Sequence, residues 1–560
     1  MKRRIANILA FVFPALLAYQ VGLLALGRHL VDWNSLAAAA HAFDVFHKLP
    51  QANMALIGFV QPPLPALLYL PLSYVCPNWL ATGYCAPVIG AVFLGLSALL
   101  LVHLGQALRL RWWVYGAVTA LFVVHPLVLS YAALGHPALI LVFAYIGLAK
   151  GLLGWHRDQT VRDLVAAAIY GAVAVLVAYE AAAPVLAAAL FILGCCRTRG
   201  LSGTRGRGFQ PRLPARMPAD QGAASGLEAP PPKGGPAEGA PTEGAPTEGA
   251  PAEGAPAACA PARAEGTLIA FLLPAVYVAA VWLVANWVIM GTPLYFWRMT
   301  LAGTQQLPVK PVDGWLQPVV IVGFMVQPLL LALIYNDLRP ASVSRRGTPV
   351  AWLALAALFS PLLFPTLRTT SAGAALWAPL MPIAAAGAGL GFPLLLAFAN
   401  SFAETAAVQR RRLVSAGFTI IALASLVMAL HLQTHRMGLP TGFRSTFTGY
   451  EASSHTDVDE RAAAERLRQG LNPTMRNYIA GWPGFAIALY SGLVGSIEVL
   501  PTAEPPPGDL GLQAGSTIVL LANGHDARAA WQARLPRHLA LAPKWTIGKW
   551  TGYRVTVKRQ

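Results

Sequence analysis

The chain has 560 residues, of which 56% are hydrophobic and only 12% charged, with a mean hydropathy of +0.54. Soluble proteins carry about 25% charged residues, so most of this chain must have lipid as its solvent. The formal charge is +17, but the basic residues sit in short clusters between apolar runs rather than in one patch interleaved with aromatics. That pattern speaks against nucleic acid as a partner and is how the positive-inside rule writes topology. The five cysteines, Cys76, Cys85, Cys195, Cys196 and Cys259, match no zinc-ligand spacing.

Met1-Lys2-Arg3-Arg4 leads into an apolar stretch from Ile5 to Leu26, long enough to cross about 30 Å of hydrocarbon at about 1.5 Å per residue. Its core is longer than that of a secretory signal peptide and Ala25-Leu26-Gly27 is a poor cleavage site, so it reads as an uncleaved first helix. Further apolar segments fall at about 84–107, 114–134, 137–154, 164–178, 181–196, 267–290, 318–336, 349–367, 378–399 and 413–433, giving about eleven transmembrane helices. Every second gap is basic: Arg109/Arg111, Arg157/Arg162, Arg197/Arg199/Arg205/Arg207, Arg339/Arg345/Arg346 and Arg410/Arg411/Arg412. With Lys2, Arg3 and Arg4 they place the N-terminus in the cytoplasm and the part after 434 outside. Leu164 to Cys196 lies between two clusters of the same face, so it reads as two short helices turning near Glu180 and Pro184. Glu180 then sits at the outer turn, reaching headgroups or lining a wet cavity.

From Arg197 to Glu265 the hydrophobicity collapses into a basic Gly/Arg/Pro stretch and then a Glu-Gly-Ala-Pro-Thr/Ala repeat, with Glu238, Glu243, Glu248 and Glu253 in phase. Such a segment cannot bury enough apolar area to offset its ordering entropy and reads as a disordered cytoplasmic insertion, its basic half suited to anionic headgroups. After Thr434 the pattern is that of a soluble α/β domain. Thr456-Asp457-Val458-Asp459 resembles a capping box opening a helix through about Gln469. Strands are expected at Phe485–Tyr490, Ser496–Leu500 and Thr517–Leu521, a helix at about Asp526–Arg534, and a final pair ending in Tyr553-Arg554-Val555-Thr556-Val557. The fold class is therefore an all-α polytopic membrane protein with a small C-terminal extracytoplasmic α/β domain. Its divisions are 1–196 with an outer loop at 27–83, the insertion 197–265, membrane helices over 266–434, and the domain 435–560.

The first outer loop is the informative stretch. It holds Val31-Asp32-Trp33-Asn34, an Ala-rich helical segment through Phe43-Asp44, and Gln61-Pro62-Pro63-Leu64-Pro65-Ala66-Leu67-Leu68-Tyr69-Leu70-Pro71-Leu72. A carboxylate just outside the first helix, followed by a Pro-Pro-Leu segment lying along the membrane, resembles the GT-C superfamily of polyprenyl-phosphate-sugar-dependent glycosyltransferases, in particular its protein O-mannosyltransferase (glycosyltransferase family 39) and lipid A aminoarabinose transferase branches. His136-Pro137-Ala138-Leu139, Asn286-Trp287, Gly291-Thr292-Pro293-Leu294-Tyr295-Phe296, and Arg368 followed by Pro379-Leu380-Met381-Pro382 extend the resemblance. It covers about residues 1–435 without the insertion.

The resemblance implies a hexosyl- or pentosyltransferase of the inner membrane that moves a sugar from a polyprenyl-phosphate carrier to a lipid, glycan or protein acceptor on the outer side. The matching carboxylate is Asp32: a hydroxyl attacking an anomeric carbon must lose its proton, and a carboxylate within hydrogen-bond reach takes it. Capping of the next helix is the other reading of the same residue; Asp44 is a second candidate, with His136 and Glu180 as further acceptor-side or metal-site candidates. Many members have Asp-Glu where Asp32-Trp33 stands, and a second acid near His136. One carboxylate and one histidine leave the use of a divalent cation open. Arg298, Lys310 and Arg368 lie on expected outer segments, where cations are scarce, and would clamp the donor phosphate or snorkel to headgroups. Cys76 and Cys85 lie outside, where an oxidising compartment permits a disulfide, whereas Cys195-Cys196 are cytoplasmic and inert or acylated. The rival class is a transporter or lipid flippase, which would show inverted repeats and ionisable residues at mid-membrane. Here the charged residues gather at helix ends and in outer loops.

Overall fold

In a computed structural model, the structure describes residues 2–47, 62–202, 259–294, 387–393, 395–396, 457–481, 484–493, 496–500, 505, 510–521 and 525–558. Long apolar runs form α1 (Lys2–Gly27), α5 (Cys85–Ala107), α8 (Ala138–Asp158), α10 (Ala182–Ser202) and α11 (Cys259–Met290), with α2 (Trp33–His47), α3 (Leu64–Val75) and α4 (Pro77–Thr82) between α1 and α5. Among the described residues five helices are long and apolar enough to cross a membrane, or six if one bent pair is a single span. That pair is α6 (Trp112–Val124) and α7 (Pro126–Leu134), which corrects the single helix expected over 114–134: the two are bent by 56°. Pro126 supplies the cause, since it has no amide hydrogen to continue the ladder and drives His125 out of the helical region, to ψ 123.

The turn expected near Glu180 is a short tight helix, Tyr179–Ala181, between α9 (Val161–Val177) and α10. At 17 residues, α9 is about 25 Å long and short for a full span. Residues Ile192–Leu268 form a unit of their own, of which the described parts are the end of α10 and the start of α11. Helix thus runs into both ends of the segment expected to be disordered; 203–258 lie outside the described residues. So do the spans expected at 318–336, 349–367 and 413–433, and most of 378–399, of which the described piece is helical and sets Phe392 edge-on to Phe122 at 5.2 Å.

Three membrane helices approach very closely. A side chain at Gly90 of α5 would run into the carbonyl of Ala132 in α7, and one at Gly22 of α1 would collide with Pro87 and Ala133. In lipid, where apolar surface gains nothing from leaving its solvent, such small-residue contacts are what lets helices pack.

The C-terminal domain comprises α12 (Val458–Gly470), β1 (Asn477–Ala480), α13 (Gly484–Ser491), β2 (Ile497–Leu500), β3 (Thr517–Leu521), α14 (His525–Arg534), β4 (Leu539–Ile547) and β5 (Trp550–Val557). The sheet order is β2-β1-β3-β5-β4; β1 runs parallel to β2 and β3, and the β4–β5 hairpin adds antiparallel to β3. Two expectations fail here. Phe485–Tyr490 is the helix α13 rather than a strand, because parallel neighbours such as β1 and β2 need a crossover between them, and a short apolar run carries no period to separate helix from strand. The strand β1 was hidden by its length of four residues. At the start of α12, Thr456 lies outside the described residues, and the preceding residue, Asp457, makes no side-chain capping bond.

Every residue of α13 is buried. One side covers β1 and β2 through Ile479 and Val499; the other meets α2, so that Leu36, Phe43, Tyr69, Leu80, Ile479, Phe485, Ile487, Leu489 and Trp550 belong to one continuous core. The ring of His41 lies 5.0 Å from that of Phe485 across this contact. The C-terminal domain and the α2–α4 layer therefore lie on the same side of the membrane. A second core on the other face of the sheet is the domain's own, built on Trp531 of α14 with Tyr478, Ile518 and Val555.

The domain thus shares one of its two cores with α2 and α3, and residues 435–560 expressed alone are expected to melt less cooperatively than in the full chain and to bind an apolar dye. In the full chain, Ile487→Ala should lower stability by about 2–5 kcal/mol, read as a drop in melting temperature in detergent. A cooperative, dye-free melt of the isolated domain would contradict this arrangement.

Candidate active site

Asp32 lies at the head of α2, in the turn that leaves α1. Its backbone carbonyl accepts from Leu36 N at 3.0 Å, and its Oδ2 accepts from Ser35 N at 2.7 Å. This is an N-cap: the carboxylate satisfies an amide that has no partner within the helix. Only one of its two oxygens is used this way. The other, Oδ1, faces Nε2 of His136 at 3.7 Å, and both side chains are 5% exposed. The capping and the functional readings of Asp32 therefore coexist in one side chain.

His136 is presented by the end of α7. Gly135 adopts φ +66, the left-handed conformation that commonly ends a helix, and the chain recloses with His136 N donating to the carbonyl of Tyr131 at 2.9 Å. A side chain at 135 would run into the carbonyl of Ala86, so glycine is required on two counts. Nδ1 of His136 accepts from Ala138 N at 2.9 Å, which leaves the proton of the neutral ring on Nε2. That N–H looks toward Asp32; the Asn34 side-chain nitrogen, itself a donor, lies 3.5 Å from Nε2. The ring stacks on Tyr131 with centroids 4.6 Å apart. Burial holds the imidazole below its ordinary basicity, and the nearby Asp32 opposes this only in part. Next to the pair, Ser35 Oγ and Tyr69 Oη share a hydrogen bond of 2.6 Å, which ties α3 to the head of α2. Burial pushes the Tyr69 phenol well above its usual range, so it remains a neutral hydroxyl.

The carboxylate borders a depression walled by Leu26, Leu30, Ser35, Gly83, Pro87 and Ala133. Its rim comes from four places in the sequence: the end of α1, the head of α2, the α4–α5 turn and the end of α7. The close packing of α1, α5 and α7 holds these together. Of the other sequence candidates, Asp44 is half-buried on α2 but sits about 120° around the helix from Asp32 and does not line the depression. Glu180 is half-buried in the α9–α10 turn, beside Tyr179, whose Oη accepts from Trp282 Nε1 at 3.1 Å. It too is absent from the wall. Arg298, Lys310 and Arg368 lie outside the described residues. Cys76 and Cys85, for which an outer location permits a disulfide, are both free thiols here: Cys85 is buried at the start of α5, and Cys76 sits where α3 gives way to α4.

Asn34, Ser35, Tyr69 and Tyr131 were not singled out in the sequence. Asp-x-x-Ser is a local signal for the cap, but nothing local brings Tyr69 or Tyr131 to it. Among the described residues no three His, Cys, Asp or Glu side chains come together as a ligand set for a metal; with its proton on Nε2, His136 meets Asp32 as a donor rather than as a ligand.

The lowered basicity of His136 fixes a sign for acid stability. Its folded value lies below the ordinary 6.5, so as pH falls below about 6.5 the unfolded chain binds a proton that the folded chain refuses, and stability is lost. In His136→Gln this contribution is gone. The loss of melting temperature between about pH 7 and about pH 5 is expected to be smaller in the variant than in the parent; equal losses would contradict the buried, neutral ring.

No protein-family model matches the chain, and no curated protein matches it in sequence. Its likeness is to solved structures. ArnT from Cupriavidus metallidurans in the apo state aligns with a TM-score of 0.51 at 15% identity, covering 98% of each chain. The same protein bound to undecaprenyl phosphate aligns with a TM-score of 0.50 at 15% identity, over 98% of this chain and 97% of that one. The archaeal oligosaccharyltransferase AglB from Archaeoglobus fulgidus, in complex with an inhibitory peptide and a dolichol-phosphate, gives 0.47 at 12% identity over 98% of this chain and 74% of that one. The likeness to ArnT extends over nearly the whole of both chains, and this protein shares the fold of those structures.

Proposed function

We propose that the chain is a glycosyltransferase of the inner membrane that moves a sugar from a polyprenyl-phosphate-linked donor to a lipid, glycan or protein acceptor at the outer face, with its N-terminus cytoplasmic and its C-terminal domain outside. The observation that carries the reading is the buried Asp32–His136 pair at the head of α2, set in a fold shared with ArnT, whose structure holds undecaprenyl phosphate.

The chemistry follows from the two side chains. As the acceptor's nucleophile attacks the anomeric carbon it must shed a proton, and the Asp32 carboxylate takes it. His136, kept neutral by burial, turns its Nε2–H toward Oδ1; it orients the carboxylate and does not compete with the acceptor as an acid. The leaving phosphate gathers negative charge, which cationic side chains stabilise; Arg298, Lys310 and Arg368 are assigned that role. A lipid-linked donor reaches the site through the membrane, which fits a depression walled mostly by apolar side chains beside the ends of α1, α5 and α7.

Asp32→Asn tests the assignment cleanly, because Asn caps a helix as well as Asp does and the fold is retained. Transfer from a short-chain polyprenyl-phosphate sugar, drawn from a panel of donors, is expected to fall about a hundredfold or more, while Asp44→Asn loses much less. Full activity in Asp32→Asn would remove the base, and no transfer by the parent chain across the panel would favour a transporter. Topology is read separately by impermeant thiol labelling. Cys259 is expected to react only from the cytoplasmic side, and labelling only from outside would invert the assignment.

A further inference from the structure

The turn that presents Asp32 is gripped from the C-terminal domain. Its backbone is unusual at His29, which adopts φ +58 without being glycine, a conformation tolerated by only a few residue types. The His29 carbonyl accepts from the backbone N–H of Asp457 at 3.0 Å, and His29 Nδ1 lies 3.4 Å from Asp457 Oδ1. Asp457 is fully buried, and its other oxygen, Oδ2, accepts from Arg461 Nε at 2.8 Å. Arg461 crosses the face of the Tyr490 ring at 4.3 Å and donates through NH2 to the carbonyl of Thr82 at 3.4 Å.

These contacts reach two different walls of the depression. His29 belongs to the turn that supplies Leu30, Val31 and Asp32, whereas Thr82 adjoins Gly83, which lines the depression from the α4–α5 turn. The first turn of α12 therefore links the turn before α2 to the end of α4. A carboxylate that merely capped its own helix would bond to the amides of α12; Asp457 makes no such bond. Its Oδ2 is paired with Arg461, and its Oδ1, without a hydrogen-bond partner among the described residues, lies against His29 Nδ1. The arrangement leaves Asp32 held from both sides: by Ser35 N behind it, and by a backbone whose left-handed residue is fixed three positions earlier.

We infer that Asp457, acting with Arg461 and His29, is a positioning residue that sets the direction of the Asp32 carboxylate toward His136, so that the C-terminal domain braces the turn that carries the carboxylate. The inference rests on the reading of Asp32 as the base only for its effect on turnover; its effect on geometry stands without it.

The test uses the full chain in nanodiscs with nitrogen-15-labelled histidine, the His136 ring resonances being assigned by their loss in His136→Gln. Two variants weaken the grip differently. Asp457→Asn removes the charge, and His29→Asn removes the imidazole while keeping a residue that accepts the left-handed backbone. Glu465→Gln, which alters an exposed pair with Arg468 on the same helix, is the control. Both grip variants are expected to shift the His136 Nε2 resonance and its titration in the absence of any substrate, and the control to leave them unchanged. With the donor that the parent chain uses, both are expected to lower kcat by about tenfold to a hundredfold at nearly constant KM. A folded His29→Asn with the parent's His136 resonance overturns the proposal, even if Asp457→Asn fails to fold. Because the resonance is read without donor, its shift supports the grip even where no transfer is found, an outcome that would count against the transferase reading alone.

Discussion

A helix that is apolar on every face cannot lie on the outside of a domain, and α13 is such a helix. Its eight residues are all buried, by α12 and the sheet of its own domain on one side and by α2 and α4 of the outer layer on the other. Burying each large side chain is worth about 1.5–3 kcal/mol, so separating the domain from the outer loop would expose several such groups at once. This one contact fixes the side of the membrane on which the domain lies relative to the loop, brings α12 to the turn at His29, and makes residues far apart in sequence neighbours of the same depression.

Beneath that layer a second constraint sets the spacing of the site. Asp32 follows α1 and His136 follows α7, and the two helices are brought together around α5 by Gly22, Gly90 and the small residues they face. Were either glycine larger, backbone would have to move, and Oδ1 and Nε2 would separate by a comparable amount. The sharp bend at Pro126 serves the same geometry: it ends the straight course of α6 and lets the last turn of the pair deliver His136 inward, stacked on Tyr131. The low basicity of His136 is a consequence of that delivery rather than a property of the residue.

Asp32 shows how a structural and a chemical role share one side chain. One oxygen is committed to the amide of Ser35, which fixes the rotamer; the second is then aimed rather than free. The Ser35–Tyr69 bond extends the same economy to α3, since it anchors the Pro-Pro-Leu segment at the point where α2 begins. The outer layer is thereby ordered by polar bonds at its head and by apolar burial along its length.

The sequence by itself determined the membrane class, the first helix, the turn at Glu180 and the C-terminal α/β domain, because each is written locally, in runs of apolar residues and in the points where they break. The rest depended on partners distant in the chain. The short run Phe485–Tyr490 has no period of its own and became a helix through the need to connect two parallel strands and the presence of α2 on its far side. Asp457 looked like part of a cap because its neighbours in sequence fit that pattern; its carboxylate instead pairs with Arg461 and lies against His29, more than four hundred residues away. Tyr69 stood in the Pro-Pro-Leu segment without a role of its own and Tyr131 carried no signal, since a tyrosine in an apolar helix is ordinary until the fold sets it beside a serine or a histidine. Local chemistry is legible in a sequence because it acts over one or two turns of backbone; the aim of a carboxylate is set across the fold, and only the tertiary structure decided it.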